Sequence, residues 1–304
     1  MYVNKYNALR RLLYRVYDIL PAARVLKRAS LPLKIRKLRG RIAARKAEVE
    51  RVREASGRDP LFTHVEIETI NRCNGECGFC PVNRHLDPRS YARMTDGLFR
   101  SIIDQLRELD FRRSLYLFSN NEPLLDTRIV DFAAYAREQL PHASVRMYSN
   151  GVVLTKELFA QLIPHVDVFT VNNYCEDFRL APHLEEIHAF AQTDPGMAAK
   201  LHLVMRYQRE IMTSRGGLSP NKQDILSRTL SVGCLLPARQ LIIRPDGKLS
   251  LCCNDALGKM TLGDLNERSI ADIWFGEEYA ALRRTVLESR GALELCRNCD
   301  TIHF

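Results

Sequence analysis

Long apolar runs are absent from this chain. No stretch approaches the roughly twenty apolar residues that a membrane-spanning helix needs, and the first residues lack the apolar core and small-residue cleavage site of a secretory signal. The expected location is therefore cytoplasmic. Internal repeats are missing too, as are low-complexity segments outside a basic amino-terminal stretch. What remains is the ordinary balance of a soluble globular protein, 46% apolar and 27% charged. A length of 304 residues has room for one large domain and a small appended module.

Cysteine, by contrast, is plentiful. Nine cysteines in a cytoplasmic chain argue for metal binding or redox chemistry rather than disulfides, because that compartment keeps thiols reduced. Seven of them fall into two groups: Cys73, Cys77 and Cys80, then Cys234, Cys252, Cys296 and Cys299. Cys175 and Cys253 are left over.

The net charge of +9 is not spread evenly. Residues 1–58 carry 17 Lys or Arg against four acids, whereas the rest has 28 basic against 32 acidic residues, so the basic character belongs to an amino-terminal extension. That extension reads as two helices broken near Pro21 and Pro32, the first placing Tyr2, Tyr6, Leu9, Leu13, Val16, Tyr17 and Leu20 at helical spacing. Two readings are open for this basic helix. It lies on an anionic membrane surface, at the inner face, or it is a strap packed across the catalytic domain or a partner's helix. No recognition motif accompanies the charge, so nucleic acid is not the expected partner.

From residue 62 strands alternate with helices, the pattern of a parallel α/β sheet. Strands are predicted at 64–70, 114–119, 144–149, 166–172 and 201–206, with helices at about 96–109, 127–139, 155–163 and 180–193. The fold class is α/β, a complete or partial (β/α) barrel, whose chemistry sits at the carboxyl ends of the strands. The alternation stops at a Gly/Ser/Pro/Asn-rich stretch, 214–221. A hairpin is predicted at 240–252 around Pro245-Asp246-Gly247, then a helix from about 270 to 287 containing Trp274. The expected domains are a basic helical extension (1–60), a barrel (61–230) and a carboxyl-terminal cysteine-binding domain (231–304).

Cys73-Asn-Gly-Glu-Cys77-Gly-Phe-Cys80 follows the first strand. Three cysteines in eight residues converge on one centre, and three thiolates leave one iron of a four-iron cluster open to a chelating cofactor. Gly75 and Gly78 let the chain wrap tightly. The alternative is zinc, for which His85 is the only nearby fourth ligand.

This loop resembles that of the radical S-adenosylmethionine (SAM) superfamily, C-x3-C-x2-C after the first barrel strand, with Phe79 as the aromatic before the last cysteine. The resemblance covers most of residues 62–304. It implies that the open iron chelates the methionine end of SAM, and that reductive cleavage gives a 5′-deoxyadenosyl radical that abstracts a substrate hydrogen. It further implies cofactor contacts at Asn121 and Glu122 of Asn120-Asn121-Glu122-Pro123, which stands where the family has Gly-Gly-Glu-Pro. Glu122 would accept from the cofactor's ammonium. Ser149 and Asn150, of Ser149-Asn150-Gly151, would meet the ribose or carboxylate, and Arg206 would pair with the methionyl carboxylate.

The four later cysteines resemble the ligands of the superfamily's SPASM and twitch extensions, as do Gly263-Asp264-Leu265 and Ile273-Trp274 between them. The shorter twitch form, with one auxiliary 4Fe-4S cluster, is expected; a structural zinc is the alternative. The ligand spacing is similar to that of the superfamily's aminocyclitol dehydrogenases, and the architecture also resembles that of its neomycin-type epimerases. The resemblance thus implies hydrogen abstraction from a carbinol C–H of a sugar or aminocyclitol, ending in dehydrogenation or epimerisation. A thiol donates hydrogen atoms well, so Cys253 or Cys175 would serve as donor in the epimerising case; either is also explained as a small buried hydrophobe. His202 and His165 are candidate bases. The amide- and acid-rich stretch 172–177 suits a hydroxyl- and amine-rich substrate. The enzymatic alternative is a maturase of a ribosomally made peptide, and the non-catalytic one an iron–sulfur or zinc binding protein. A flavodoxin or ferredoxin-type reductant is implied as a partner.

Overall fold

The structure is a computed structural model that describes residues 2–3, 21–177, 179–222 and 230–302, with side chains from residue 31 onward. Five strands follow the predicted β/α alternation: β2 (His64–Ile67), β3 (Ser114–Tyr116), β4 (Ser144–Ser149), β5 (Val168–Tyr174) and β6 (Leu201–Arg206). Each pairs in parallel with its sequence neighbour. The helices between them are α2 (Asp96–Glu108), α3 (Ile129–Gln139), α4 (Lys156–Leu162), α5 (Pro182–Ala191) and α6 (Pro195–Lys200). Their positions follow from simple signals. Thr95 caps α2 by accepting the Leu98 N–H at 3.1 Å, and Phe99, Ile102, Ile103 and Leu106 repeat at three- and four-residue spacing to bury one face.

Strand alternation then divides the sheet into two faces. Val65, Ile67, Leu115, Val145, Met147, Phe169, Val171, Leu201 and Leu203 point to the helices and form the main core. The intervening residues His64, Glu66, Tyr116, Arg146, Tyr148, Thr170 and His202 point the other way and line a polar, aromatic lumen. His64 stacks on Tyr116 with ring centres 4.3 Å apart, and Phe118 on Tyr148 at 4.8 Å.

The carboxyl-terminal hairpin joins this sheet rather than standing apart from it. β7 (Gln240–Ile243) pairs in parallel with β2, His64 opposite Gln240, and β8 (Lys248–Ser250) and β9 (Thr261–Asp264) continue antiparallel. With β1 (Tyr2–Val3) at one edge, the nine-stranded sheet, order β1-β6-β5-β4-β3-β2-β7-β8-β9, therefore crosses residue 230 without interruption. The helices α7 (Ile270–Trp274), α8 (Glu277–Glu288) and α9 (Glu294–Arg297) follow. Trp274 fixes them to the barrel: it packs edge-on against Phe62, donates Nε1–H to the Pro60 carbonyl at 3.2 Å and lies under the Arg283 guanidinium. Arg283 in turn pairs with buried Asp59 at 2.7 Å.

Four local expectations are corrected. The helix predicted over 270–287 is two helices, because Gly276 packs so closely on the Asp272 carbonyl that a Cβ would stand 2.7 Å from it. A strand, β9, was not predicted. Tyr2–Val3, expected in a helix, is a short strand β1 beside Leu203–Val204 of β6; the remainder of that first helix, 4–20, lies outside the described residues. Finally, the chain does not break at Pro32: α1 runs from Pro21 to Ser56. A mid-helix proline costs about 3 kcal/mol. Beyond it Leu38, Ile42 and Val49 repeat at helical spacing and are buried, and burying three such side chains at roughly 1.5–3 kcal/mol each outweighs that cost.

Candidate active site and its two cysteine cages

The loop after β2 is wound tightly by its own backbone. Cys80 N–H donates to the Cys77 carbonyl at 3.0 Å, Arg84 N–H to Gly75 at 3.0 Å and Gly78 N–H to Gln208 at 2.9 Å. Gly75 is needed there, since a Cβ would stand 3.3 Å from the Cys73 sulfur. Burial pushes Cys73 up to about 12 and Cys77 to about 11, and the neighbouring thiols add to it. As free thiols they hold their protons; cationic iron would displace them. His85 is turned away, its Nε2 3.3 Å from Glu76 and 3.1 Å from the Arg84 Nε, so it supplies no fourth ligand. Among the described residues no three or more His, Cys, Asp or Glu donors converge on one ion position.

The ends of β3 and β4 meet this loop. Asn150 donates its side-chain amide to Asn74 at 2.7 Å and reaches the Cys73 sulfur at 3.9 Å. Glu122 is buried and accepts from the Asn150 N–H at 2.7 Å, the Ser149 hydroxyl at 2.8 Å and the Leu124 N–H at 3.1 Å. A carboxylate has about four acceptor directions, so one is left for a ligand. Burial raises Glu122 to about 7 in spite of these donors. The Ser149 hydroxyl is thus committed to Glu122. The Asn121 side-chain amide nitrogen is buried with no partner in the structure, an orphan donor of the kind a ligand satisfies.

Arg206, at the end of β6, forms a two-contact pair with Glu210 at 2.8 and 2.7 Å, and its guanidinium lies over Phe79 and Tyr174. The Tyr174 hydroxyl bonds Cys77. The structure therefore brings Cys73, Cys77, Cys80, Phe79, Asn121, Glu122, Ser149, Asn150 and Arg206 to one strand-end region.

The second cage draws Cys234, Cys252 and the Cys296/Cys299 pair together from three places in the sequence, all buried. Burial again pushes Cys234 to about 11 and Cys296 to about 12. Beside them sits Arg290, fully buried, donating Nε to the Gly233 carbonyl at 3.1 Å and Nη1 to Cys299 at 3.2 Å. Its Nη2 has no partner in the structure. A buried guanidinium needs anionic company, and four thiolates around an iron–sulfur cluster supply it. The residues of both cages thus fit the groups they would hold.

Between the cages lies the lumen, with residues that the sequence reading missed. Glu66 on β2 accepts from the Ser119 hydroxyl, and its other oxygen is 2.7 Å from His64 Nε2. Glu68, two residues on, accepts the Asn120 N–H at 2.6 Å and pairs with Arg89 at 3.3 Å; burial raises it to about 7. Arg215 bonds the Asn120 side-chain oxygen and the Cys253 carbonyl at 3.2 Å. It is held at φ 49°, a left-handed conformation that non-glycine residues adopt at a cost. Gln240 of β7 reaches the Cys253 sulfur at 3.7 Å. Two acids at alternate positions of an otherwise apolar strand, His64-Val65-Glu66-Ile67-Glu68, were the available signal.

The two leftover cysteines part company. Cys253 faces Glu66, Arg215 and Gln240 in the lumen. Cys175 packs against Met205 and Leu180 and donates to the Arg179 carbonyl at 2.9 Å, outside that group. Of the stretch 172–177, Asn173 is buried and engaged with Arg179 and Ala181. Burial lowers His202, which keeps it neutral at pH 7.

Parallel β/α units with one three-thiol loop and one four-thiol cage define a class: the chain is a radical SAM enzyme carrying a SPASM iron–sulfur cluster-binding domain. The radical SAM superfamily model matches residues 67–173, and the SPASM iron–sulfur cluster-binding domain model residues 234–300. Among particular proteins, the chain is similar to the S-adenosyl-L-methionine-dependent 2-deoxy-scyllo-inosamine dehydrogenase of Niallia circulans, 25% identical over 248 residues, covering 80% of this chain and 95% of that one. It is likewise similar to the crystal structure of BtrN in complex with AdoMet and 2-DOIA, at 25% identity and a TM-score of 0.67 over 80% of this chain and 94% of that one. Native anSMEcpe with bound AdoMet shares the fold at 10% identity, TM-score 0.51, over 77% and 88%. The cofactors are 4Fe-4S clusters and SAM.

Proposed function

We propose that this enzyme removes two electrons and two protons from a carbinol of an aminocyclitol or similar amino-sugar, leaving a ketone. The observation that carries the reading is one polar lumen, Glu66, Ser119, Asn120, Arg215 and Gln240, held between the two cysteine cages. The similarity to an inosamine dehydrogenase over nearly its whole length supports the same substrate class.

When bound and reduced by a flavodoxin or ferredoxin-type protein, the cluster and SAM supply a 5′-deoxyadenosyl radical that takes a hydrogen atom from carbon. Cys73, Cys77 and Cys80 hold that cluster. Glu122, oriented by the Ser149 hydroxyl, forms the cofactor's polar walls with Asn150, Asn121 and Arg206. In the lumen, Glu66 is the acceptor for the carbinol proton, and a substrate amine and hydroxyls find Asn120, Gln240 and Arg215 as partners. Cys234, Cys252, Cys296 and Cys299 hold the auxiliary cluster.

A second reading rests on Cys253. Its thiol faces Glu66, so it is placed to return a hydrogen atom to the substrate carbon, giving epimerisation. One anaerobic incubation with 2-deoxy-scyllo-inosamine and SAM in deuterated water separates the two. Product lighter by two hydrogens, formed one for one with 5′-deoxyadenosine and retained in Cys253→Ala, supports dehydrogenation. Product carrying one solvent deuterium and lost in Cys253→Ala supports epimerisation. Neither product, with SAM cleaved, overturns the substrate class.

A further inference from the structure

The outer face of α1 carries charge that the chemistry above does not use. Residues 21–47 hold ten Lys or Arg and no Asp or Glu, although the chain beyond residue 58 has more acid than base. Arg36, Lys37 and Arg41 are exposed, and Lys34, Lys37 and Arg41 follow at three- and four-residue steps along one flank. The inner face is occupied. Leu38 and Ile42 pack on Val232, Leu235 and Ala238, while Arg45 donates to the Ala238 carbonyl at 2.5 Å and Arg39 to Ser231 at 3.4 Å. That covered segment contains Cys234. A cationic surface therefore lies across one helix thickness, about 10 Å, from the segment that carries Cys234.

Dehydrogenation of a carbinol sets the requirement. One hydrogen atom leaves carbon for the deoxyadenosyl radical, the hydroxyl proton goes to a base, and the remaining electron has to leave the substrate radical. We propose that the basic face of α1 docks an acidic one-electron carrier protein of the flavodoxin class, which receives that electron and departs one electron more reduced. This rests on the dehydrogenation reading. Charge complementarity selects the occupant: the exposed Arg36, Lys37, Arg39 and Arg41, in a stretch without an acid from 21 to 47, draw an acidic protein by long-range steering. A lipid bilayer fits less well, because an interfacial helix needs an apolar face for the acyl chains. Here that face is buried in the protein, and Leu33 is the one large apolar side chain of α1 strongly exposed among those described.

The test measures binding of the full-length, cluster-loaded protein to an acidic flavodoxin by surface plasmon resonance over a range of salt, with the double variant Arg36→Glu/Lys37→Glu beside it. Iron content and thermal melting check that the variant is folded. The expected result is binding that weakens steeply with salt, and an association rate about tenfold slower or more in the variant. Phosphatidylglycerol vesicles and duplex DNA form the competing arms. Unchanged flavodoxin binding in the variant overturns the proposal, as does tighter binding to vesicles or DNA than to flavodoxin. SAM cleavage with a chemical reductant is scored separately, so failure of the radical chemistry is not confused with failure of docking.

Discussion

Cys252 and Cys253 are adjacent in sequence and face different sites: Cys252 sits with Cys234 and Cys299 in the four-thiol cage, and Cys253 lies against Glu66 and Gln240 in the lumen. A single peptide unit at the end of the β7–β8 hairpin thus joins the auxiliary cage to the reaction chamber. Replacing Cys252 by Ala is expected to lower bound iron by about four per chain, with cleavage of SAM retained and ketone formation lost. Iron analysis and product assay on the same sample check this.

Arg290 should act on the cage without being a ligand. Arg290→Met removes the donors to the Gly233 and Cys299 carbonyls and a buried cation beside Cys234 and Cys296. The expected outcome is partial loss of the auxiliary cluster and a changed reduction potential, read by spectroelectrochemistry. Arg290→Lys, which keeps the charge, should recover part of the potential but not the two-point geometry.

Glu68 gives a pH signature. Burial raises its folded pKa to about 7 from the usual 4.5, so the stability it contributes is fully present below 4.5 and lost as pH rises through 7. Wild type is therefore expected to lose stability relative to Glu68→Gln across that window, by at most about 1.4 kcal/mol per pH unit, and to change little above it. Denaturant melts at fixed pH values between 5 and 8.5, roughly, measure the difference.

Trp274 is the hinge pin between barrel and carboxyl-terminal helices. Trp274→Ala empties a fully buried site between Phe62 and Tyr279 and leaves the Pro60 carbonyl unpaired. A loss of about 3–5 kcal/mol in unfolding free energy is expected.

The elements that the sequence revealed are those written in local spacing. The three-thiol loop, the β/α alternation and the strand-end motifs around Glu122 and Asn150 all occupy short windows, and the fold brings them together. The lumen was harder to read because its members come from separate places in the chain: β2–β3 pairing brings Ser119 and Asn120 to Glu66, Arg215 bonds Asn120, and Gln240 arrives only through parallel pairing of β7 with β2, a contact across more than 170 residues. Pro32 misled for the opposite reason. Its local rule is sound, but packing of Leu38, Ile42 and Val49 further along the helix overrides it. The committed hydroxyl of Ser149 was likewise invisible, since only the folded chain shows that Glu122 takes it.

The central claim is that the thiols at 73, 77 and 80 hold a cluster with one iron open to SAM. Anaerobic reconstitution of wild type and of the Cys73→Ala/Cys77→Ala/Cys80→Ala variant, with iron and 5′-deoxyadenosine quantified together, tests it most directly. The account predicts about eight irons per chain falling to about four, with 5′-deoxyadenosine formation abolished. Undiminished 5′-deoxyadenosine in the variant, or stoichiometric zinc in place of iron in the wild type, would contradict it.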